Sequence, residues 1–216
     1  MFVSTQEEVA RILLDTGAVT LSPDKPYRFA SGILGPIYCD NRVLLSFPAQ
    51  RSIVRDHFIA KIRAAGIDPD AVCGIATAGI SWAALIAEGL GKPMAYVRAE
   101  KKSHGKENKI EGRLKAGDKV LVVEDLVSTG GSSLAGVQGV REAGCVVPAC
   151  AAIFWYETEI AKDAFKQADC DLLTLTSFSC LVNQARNTGV IDDAKVRLLM
   201  DWASDPKGWG AKHGFE

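Results

Sequence analysis

One stretch of the sequence decides the predicted fold, and it reads Val120-Leu121-Val122-Val123-Glu124-Asp125-Leu126-Val127-Ser128-Thr129-Gly130-Gly131-Ser132-Ser133. Its first four residues form a continuous apolar run, which is typical of a strand buried on both faces of a parallel sheet. After the stretch, Leu134, Val137 and Val140 recur at helical spacing, and Gly144 follows as a helix-ending glycine. The pattern therefore predicts a strand, a turn and a helix in direct succession.

The turn between this strand and this helix combines two carboxylates with small polar residues. Backbone N–H groups at the start of a helix bind a phosphate well, because they lie at the positive end of the helix dipole. The hydroxyls of Ser128, Thr129 and Ser132 can add hydrogen bonds to the same anion. Glu124 and Asp125 repel a phosphate, but they can accept hydrogen bonds from sugar hydroxyls or hold the water shell of a metal ion. The turn therefore predicts a site for a phosphorylated sugar.

Two other phosphate-binding motifs are excluded in this turn. No lysine follows the Gly130-Gly131 pair, as a P-loop requires, and the turn contains no G-x-G-x-x-G pattern.

A second candidate segment follows the strand predicted over residues 93–97. Residues 98–109 are rich in cations, among them Arg98, Lys102 and His104, and they contain almost nothing apolar. A long polar loop inside a compact domain is often functional, so we interpret the segment as an anion-binding lid that is mobile without ligand. An ordinary solvated charged loop is the alternative.

The remaining pattern alternates between strands and helices. A strand over residues 71–75 ends in the turn Ala76-Thr77-Ala78-Gly79, and aromatic, strand-like pieces between Tyr27 and Arg42 predict a hairpin. We predict one α/β domain with a mostly parallel sheet flanked by helices. Its parts are a small N-terminal hood at about 1–47, a core at about 48–180 and a C-terminal helical extension at about 181–216.

Composition narrows the function classes. The net charge of −1 gives no broad field for binding nucleic acid or an acidic membrane. The six cysteines form no C-x-x-C pair, which favours reduced thiols over disulfides or a zinc site. No segment approaches membrane-spanning length, so we expect a cytoplasmic protein without a membrane or nucleic-acid partner.

The motifs together resemble a known enzyme family. The run from Glu124 to Ser132 resembles the phosphate-binding signature of type I phosphoribosyltransferases, in which it holds the 5-phosphate of phosphoribosyl pyrophosphate (PRPP). Residues 29–42 resemble the N-terminal signature of the orotate phosphoribosyltransferases, and residues 97–105 with 110–112 resemble their catalytic loop. The similarity covers residues from about 27 to about 154, and Trp202-Ala203-Ser204-Asp205-Pro206 resembles the ending of one bacterial branch.

This resemblance implies a role for each motif. The implied catalytic residues are Arg98, Lys102, His104 and Asp125. The implied PRPP-binding residues are Arg98, Lys102, His104, Glu124, Asp125, Leu126, Val127, Ser128, Thr129, Gly130, Gly131 and Ser132. The implied orotate-binding residues are Ser31, Tyr38 and Ser128, and the pyrophosphate-side loop is Ala76, Thr77, Ala78 and Gly79. Mg²⁺ is expected near Glu124 and Asp125, held by PRPP and water rather than by direct protein ligands, in a homodimer that shares the basic loop across its interface.

The sequence departs from the family at two positions. Ala99 stands where many members have lysine directly after the arginine of the basic loop, with Lys101 two residues further on, and Ala30 stands where many have lysine. The implied function is transfer of the phosphoribosyl group from PRPP to orotate on the way to UMP. Two alternatives stay open, namely a phosphoribosyltransferase for another base and a non-catalytic PRPP-sensing regulator with the same fold.

Overall fold

The computed structural model describes residues 4–29, 31–98 and 109–215 of the chain. The helices in these ranges are α1 Thr5–Asp15, α2 Pro48–Ala64, α3 Ala78–Leu90, α4 Gly131–Glu142, α5 Glu159–Gln167, α6 Phe178–Asn187, α7 Asp193–Ser204 and α8 Trp209–Lys212. The strands are β1 Val19–Leu21, β2 Tyr27–Arg28, β3 Leu34–Gly35, β4 Ile37–Cys39, β5 Ala71–Ile75, β6 Met94–Val97, β7 Ile110–Glu111, β8 Val120–Val123, β9 Leu126–Val127, β10 Ala149–Trp155 and β11 Asp171–Ser177. A 3₁₀ helix covers Asn41–Ser46. None of these helices is long and apolar enough to cross a membrane.

The chain forms two compact units. The first joins the residues up to Phe47 with those from Thr176 onward, and the second runs from Pro48 to Leu175. The boundaries of hood, core and extension that the sequence suggests stay a prediction.

The second unit is built on the sheet that the apolar runs predict. The strand order is β11-β10-β8-β5-β6-β7, and β9 pairs with the end of β10. Strands β6, β5, β8 and β10 are parallel, while β7 lies antiparallel at the edge. Every residue of β5 and β8 is buried, as expected for strands covered on both faces. The predicted α/β fold with a mostly parallel sheet is confirmed.

Local boundaries differ from the expected ones where proline or helix packing intervenes. The apolar residues 146–154 suggest a strand that Pro148 weakens or places at a bulge or an edge. Strand β10 begins at Ala149, directly after this proline, and the exposed Val146 forms an isolated parallel bridge with Lys119. On α2, the apolar spacing suggests Ile53 as a core residue, yet Ile53 is exposed and its neighbour Val54 is buried. At the start of α2, the buried face of the helix is therefore shifted by one residue from the one that the apolar spacing suggests.

The first unit contains two small antiparallel sheets and the packed helices α1, α6 and α7. Strands β2 and β3 form the expected hairpin, with Tyr27 opposite Gly35 and Arg28 opposite Leu34. Strand β4 does not belong to this hairpin, because it pairs with β1 instead. The hood segment is thus two short ribbons rather than one.

Candidate functional site

The predicted phosphate loop lies between β8 and α4. Gly130 is the residue before α4 and has φ +82°, a left-handed conformation that glycine adopts at little cost. No side chain of the described residues caps the first turn of α4, so its N–H groups remain available to an anion. Ser133 in that turn is buried, and its hydroxyl has no hydrogen-bond partner within the described ranges. Ser128, Thr129, Gly131 and Ser132 are exposed around this helix start. The geometry suits an anion such as a phosphate.

The acid pair follows directly after β8. Glu124 is only 7% exposed, and the Asp125 backbone N–H donates to Glu124 Oε1 over 3.1 Å. Burial first, and then the negative charge of Asp125, raise the pKa of Glu124 to about 8. Without ligand, the pair therefore holds a proton near neutral pH. Hydrogen-bond donors such as sugar hydroxyls, or a nearby cation, favour the ionised form and lower this pKa.

The predicted pyrophosphate-side loop lies beside the acid pair. Ala76 to Gly79 connect β5 to α3, and β5 pairs with β8 in parallel, so both strands end at the same edge of the sheet. A Cβ on Gly79 would lie 2.4 Å from the carbonyl oxygen of Val123 and 3.3 Å from the Cα of Glu124. Only glycine permits this approach, and it brings the two loops into direct contact. The peptide bond between Ala76 and Thr77 is cis.

Helix α5 and the residue before it contact the phosphate loop. The Thr158 hydroxyl donates to the backbone oxygen of Ser128 over 2.7 Å, and the Thr158 hydroxyl oxygen accepts from the Ala161 backbone N–H at the start of α5 over 3.2 Å. A Cβ on Gly130 would lie 3.1 Å from the Phe165 ring. Thr158 therefore connects the N-terminus of α5 to the phosphate loop. Sequence reasoning missed this residue, because no local pattern relates it to a loop thirty residues earlier.

The structure describes the stem of the basic loop. The Arg98 N–H donates to the Lys109 carbonyl over 2.8 Å, and Arg98 Nη1 lies 3.4 Å from Glu111 Oε1. The loop therefore leaves and re-enters the fold at adjacent points on the β6–β7 edge. The predicted residues Lys102 and His104 lie outside the described residues.

The predicted base-binding residues belong to the two separate units. In the first unit, Ser31 lies in a turn that the Gly32 N–H closes onto the Phe29 carbonyl over 2.8 Å. Tyr38 on β4 is 44% exposed, and its ring centroid lies 5.6 Å from that of Tyr27. Both side chains are thus presented at the surface of their unit. Ser128 belongs to the second unit.

The described ranges contain no group of three or more His, Cys, Asp or Glu side chains placed to hold a metal ion. Within the part of the chain that the structure describes, Glu124 and Asp125 form a carboxyl pair without a third acidic group beside it. This pair suits a cation whose remaining ligands come from water and substrate.

Comparisons with known proteins agree with this geometry. The model of the phosphoribosyl transferase domain matches residues 44–176. The orotate phosphoribosyltransferase of Enterococcus faecalis is 44% identical over 204 residues, which cover 94% of this chain and 97% of that protein. That of Staphylococcus saprophyticus is 48% identical over 194 residues, covering 90% of this chain and 96% of that protein.

Among solved structures, orotate phosphoribosyltransferase from Aeropyrum pernix is similar with a TM-score of 0.74 and 28% identity, covering 85% of this chain and 99% of that one. The identity to the curated relatives extends over nearly the whole chain, and the fold of this chain places the phosphate loop and the acid pair at one edge of its sheet. The chain therefore belongs to the phosphoribosyl transferase family and, within it, to the orotate phosphoribosyltransferases.

Proposed function

We propose that this protein transfers the 5-phosphoribosyl group of PRPP to orotate, giving orotidine 5′-phosphate and pyrophosphate on the way to UMP. The observation that carries the proposal is the close approach of Gly79 to the backbone of Val123 and Glu124, where the acid pair follows β8 and leads to the open start of α4. This arrangement offers one place for a phosphate and another for sugar hydroxyls. The identity to proteins named orotate phosphoribosyltransferase supports orotate as the acceptor.

The reaction needs positioning and charge neutralisation rather than a nucleophilic side chain. The bond between the ribose C1 and the pyrophosphate oxygen breaks, and a bond from C1 to a ring nitrogen of orotate forms as that nitrogen loses its proton to solvent. Positive charge develops on the sugar while negative charge develops on the leaving group. In this proposal the residues from Val127 to Ser132 hold the 5-phosphate. Asp125 and Glu124 accept hydrogen bonds from the ribose hydroxyls, close to the positive charge.

The leaving group requires cations at the other end of PRPP. Arg98, Lys102 and His104 supply them in this proposal, together with the backbone of the Ala76–Gly79 loop. A histidine titrates near neutral pH, so His104 can give a proton to the departing pyrophosphate. A closed loop also excludes water from the reacting sugar carbon.

We also propose that the reaction depends on Mg²⁺. Glu124 and Asp125 fit an indirect role, because two adjacent carboxylates can orient the water ligands of a cation bound by PRPP. When bound, the ion neutralises negative charge on the pyrophosphate group. In this proposal, a cation near the pair would favour the ionised form of Glu124 and so lower its raised pKa.

We further propose a cytoplasmic homodimer in which the basic loop of each subunit serves its neighbour's site. The dimer is supported by the resemblance of residues 97–105 to the family's catalytic loop. The location is supported by six free cysteines, of which Cys73, Cys145, Cys150 and Cys170 are buried.

A substrate panel tests the proposed function. Purified protein is assayed with PRPP and orotate, uracil, adenine or hypoxanthine, each with and without Mg²⁺. We expect turnover with orotate only, and only with Mg²⁺. Turnover of a purine instead would assign the enzyme to another base, and binding of RNA or DNA without any turnover would favour the regulator.

A further inference from the structure

The C-terminal segment of the chain contacts the hairpin that carries Ser31. We propose that Trp202 of α7 is a positioning residue for the base, because its indole N–H holds the hairpin β2–β3 in the conformation that receives orotate. This inference rests on the proposed function and on the orotate-binding role that the family resemblance implies for Ser31. All of its contacts lie within the first unit.

The hairpin is too small to be stable by itself. Among the described residues, two pairs join β2 to β3, and Ser31 lies in the connection between the two strands, where it is exposed. An isolated two-stranded hairpin is at best marginally stable in water, so its conformation depends on what it packs against. A residue that supports the hairpin therefore controls how well Ser31 is placed.

Trp202 provides this support through a hydrogen bond and ring packing. Its Nε1–H donates to the Leu34 carbonyl over 3.0 Å, across 168 residues of sequence. Its ring centroid lies 6.5 Å from that of Phe29, the residue at the base of the turn, and the side chain is 6% exposed. A Cβ on Gly35 would lie 2.5 Å from the Phe29 ring and 3.4 Å from the Trp202 ring, so glycine permits the contact. Trp202 thus fixes both β3 and the start of the turn.

The rest of the C-terminal segment closes around the same hairpin. Helix α8 contacts β3, and a Cβ on Gly210 would lie 3.1 Å from Leu34 Cδ1. Asp201 on α7 pairs with Lys212 Nζ at 2.5 Å and with His213 Nε2 at 2.6 Å, which anchors α8 to α7. These ion pairs do not involve Trp209, so α8 stays attached to α7 when the indole N–H of Trp209 is removed.

A matched pair of substitutions tests the proposal. Trp202→Phe keeps an aromatic ring but removes the N–H bond to Leu34. Trp209→Phe removes an equally long bond, from Trp209 Nε1 to the Leu198 carbonyl at 3.0 Å, whose acceptor lies on α7 rather than on the hairpin. Because one hydrogen bond contributes about 0.5–1.5 kcal/mol, we expect Trp202→Phe to raise the KM for orotate by about two- to tenfold. The KM for PRPP is expected to change less than twofold, and Trp209→Phe to leave both values within twofold of wild type.

Hydrogen exchange gives a readout that does not depend on activity. The Phe29 N–H donates to the Ile33 carbonyl over 2.9 Å, and its exchange is expected to be faster in Trp202→Phe but not in Trp209→Phe. If Trp202→Phe does not fold, replacing Trp202 with benzothienylalanine removes the N–H while the ring shape is kept. Equal increases in both KM values, or unchanged KM for orotate with unchanged exchange, would overturn the proposal. A wild-type protein inactive with orotate would instead refute the proposed function.

Discussion

Glu124→Gln is expected to change how the stability of the ligand-free protein depends on pH. Glu124 has a pKa of about 8 in the fold against an ordinary value of 4.5, so between these pH values the folded chain keeps a proton that the unfolded chain loses. The free energy of unfolding contributed by this group therefore falls as pH rises through that window. Glutamine has the same shape as glutamate but does not titrate. The Glu124→Gln protein therefore lacks this decrease in the free energy of unfolding.

The size of the effect follows from the shift in pKa. One pH unit corresponds to about 1.4 kcal/mol once the unfolded carboxyl is fully ionised and the folded one is still protonated. Between pH 5 and pH 7 we therefore expect the variant to gain about 2–3 kcal/mol relative to wild type. Any cost of placing an amide at position 124 is independent of pH, so it does not enter this change.

Urea unfolding at pH 5, 6, 7 and 8 measures this difference, with tryptophan fluorescence as the signal. Glu88→Gln, which removes an exposed carboxyl from α3, is the matched control. The reasoning is refuted if the stability difference between Glu124→Gln and wild type changes with pH no more than that of the control. If the free energies of unfolding of Glu124→Gln and wild type change with pH in parallel, Glu124 is already ionised at pH 5.

Two further predictions concern the loops of the site. Gly79→Ala is expected to destabilise the protein by about 1–3 kcal/mol, since its Cβ would lie 2.4 Å from a backbone oxygen at the end of β8. The helical control Gly139→Ala, whose Cβ meets its nearest neighbour at 3.7 Å, is expected to be neutral or stabilising in the same urea titration. Thr158→Ala is expected to raise the KM for PRPP severalfold, because it releases the backbone of Ser128. Thr158→Ser keeps the hydroxyl, so its KM for PRPP is expected to equal that of wild type. Equal KM values in both variants would contradict this role of Thr158.

The elements predicted best from the sequence are those defined by contiguous residues. Strand β8, its turn and helix α4 lie where the apolar run, the glycines and the helical spacing indicate. The capping-box pattern at the start of α1 did not predict which residues form the cap, because two versions of the pattern overlap there. Thr5 and Glu8 have the spacing of a capping box, but so have Ser4 and Glu7, and the structure uses the second pair. Both pairs satisfy the same rule, so the sequence alone does not choose between them.

The contacts that the sequence did not predict join residues far apart along the chain. Thr158 reaches Ser128 and Trp202 reaches Leu34 through backbone carbonyl oxygens. Every residue has such a carbonyl, so the residue type does not indicate which carbonyl will accept the hydrogen bond. The resemblance to a family predicts which residues face the ligand, whereas the residues that hold those loops in place became visible only in the fold.

The close packing at Gly79 leads to a further prediction about the raised pKa of Glu124. Helix α3 approaches the Glu124 backbone closely only because residue 79 has no side chain, and we expect this approach to help exclude water from the carboxyl. Since burial is the larger cause of the shift, loosening the contact should lower the pKa of Glu124. In a Gly79→Ala background, Glu124→Gln should therefore show a smaller change of stability with pH than in wild type. An undiminished change would mean that the water-excluding contacts of Glu124 come from elsewhere in the site.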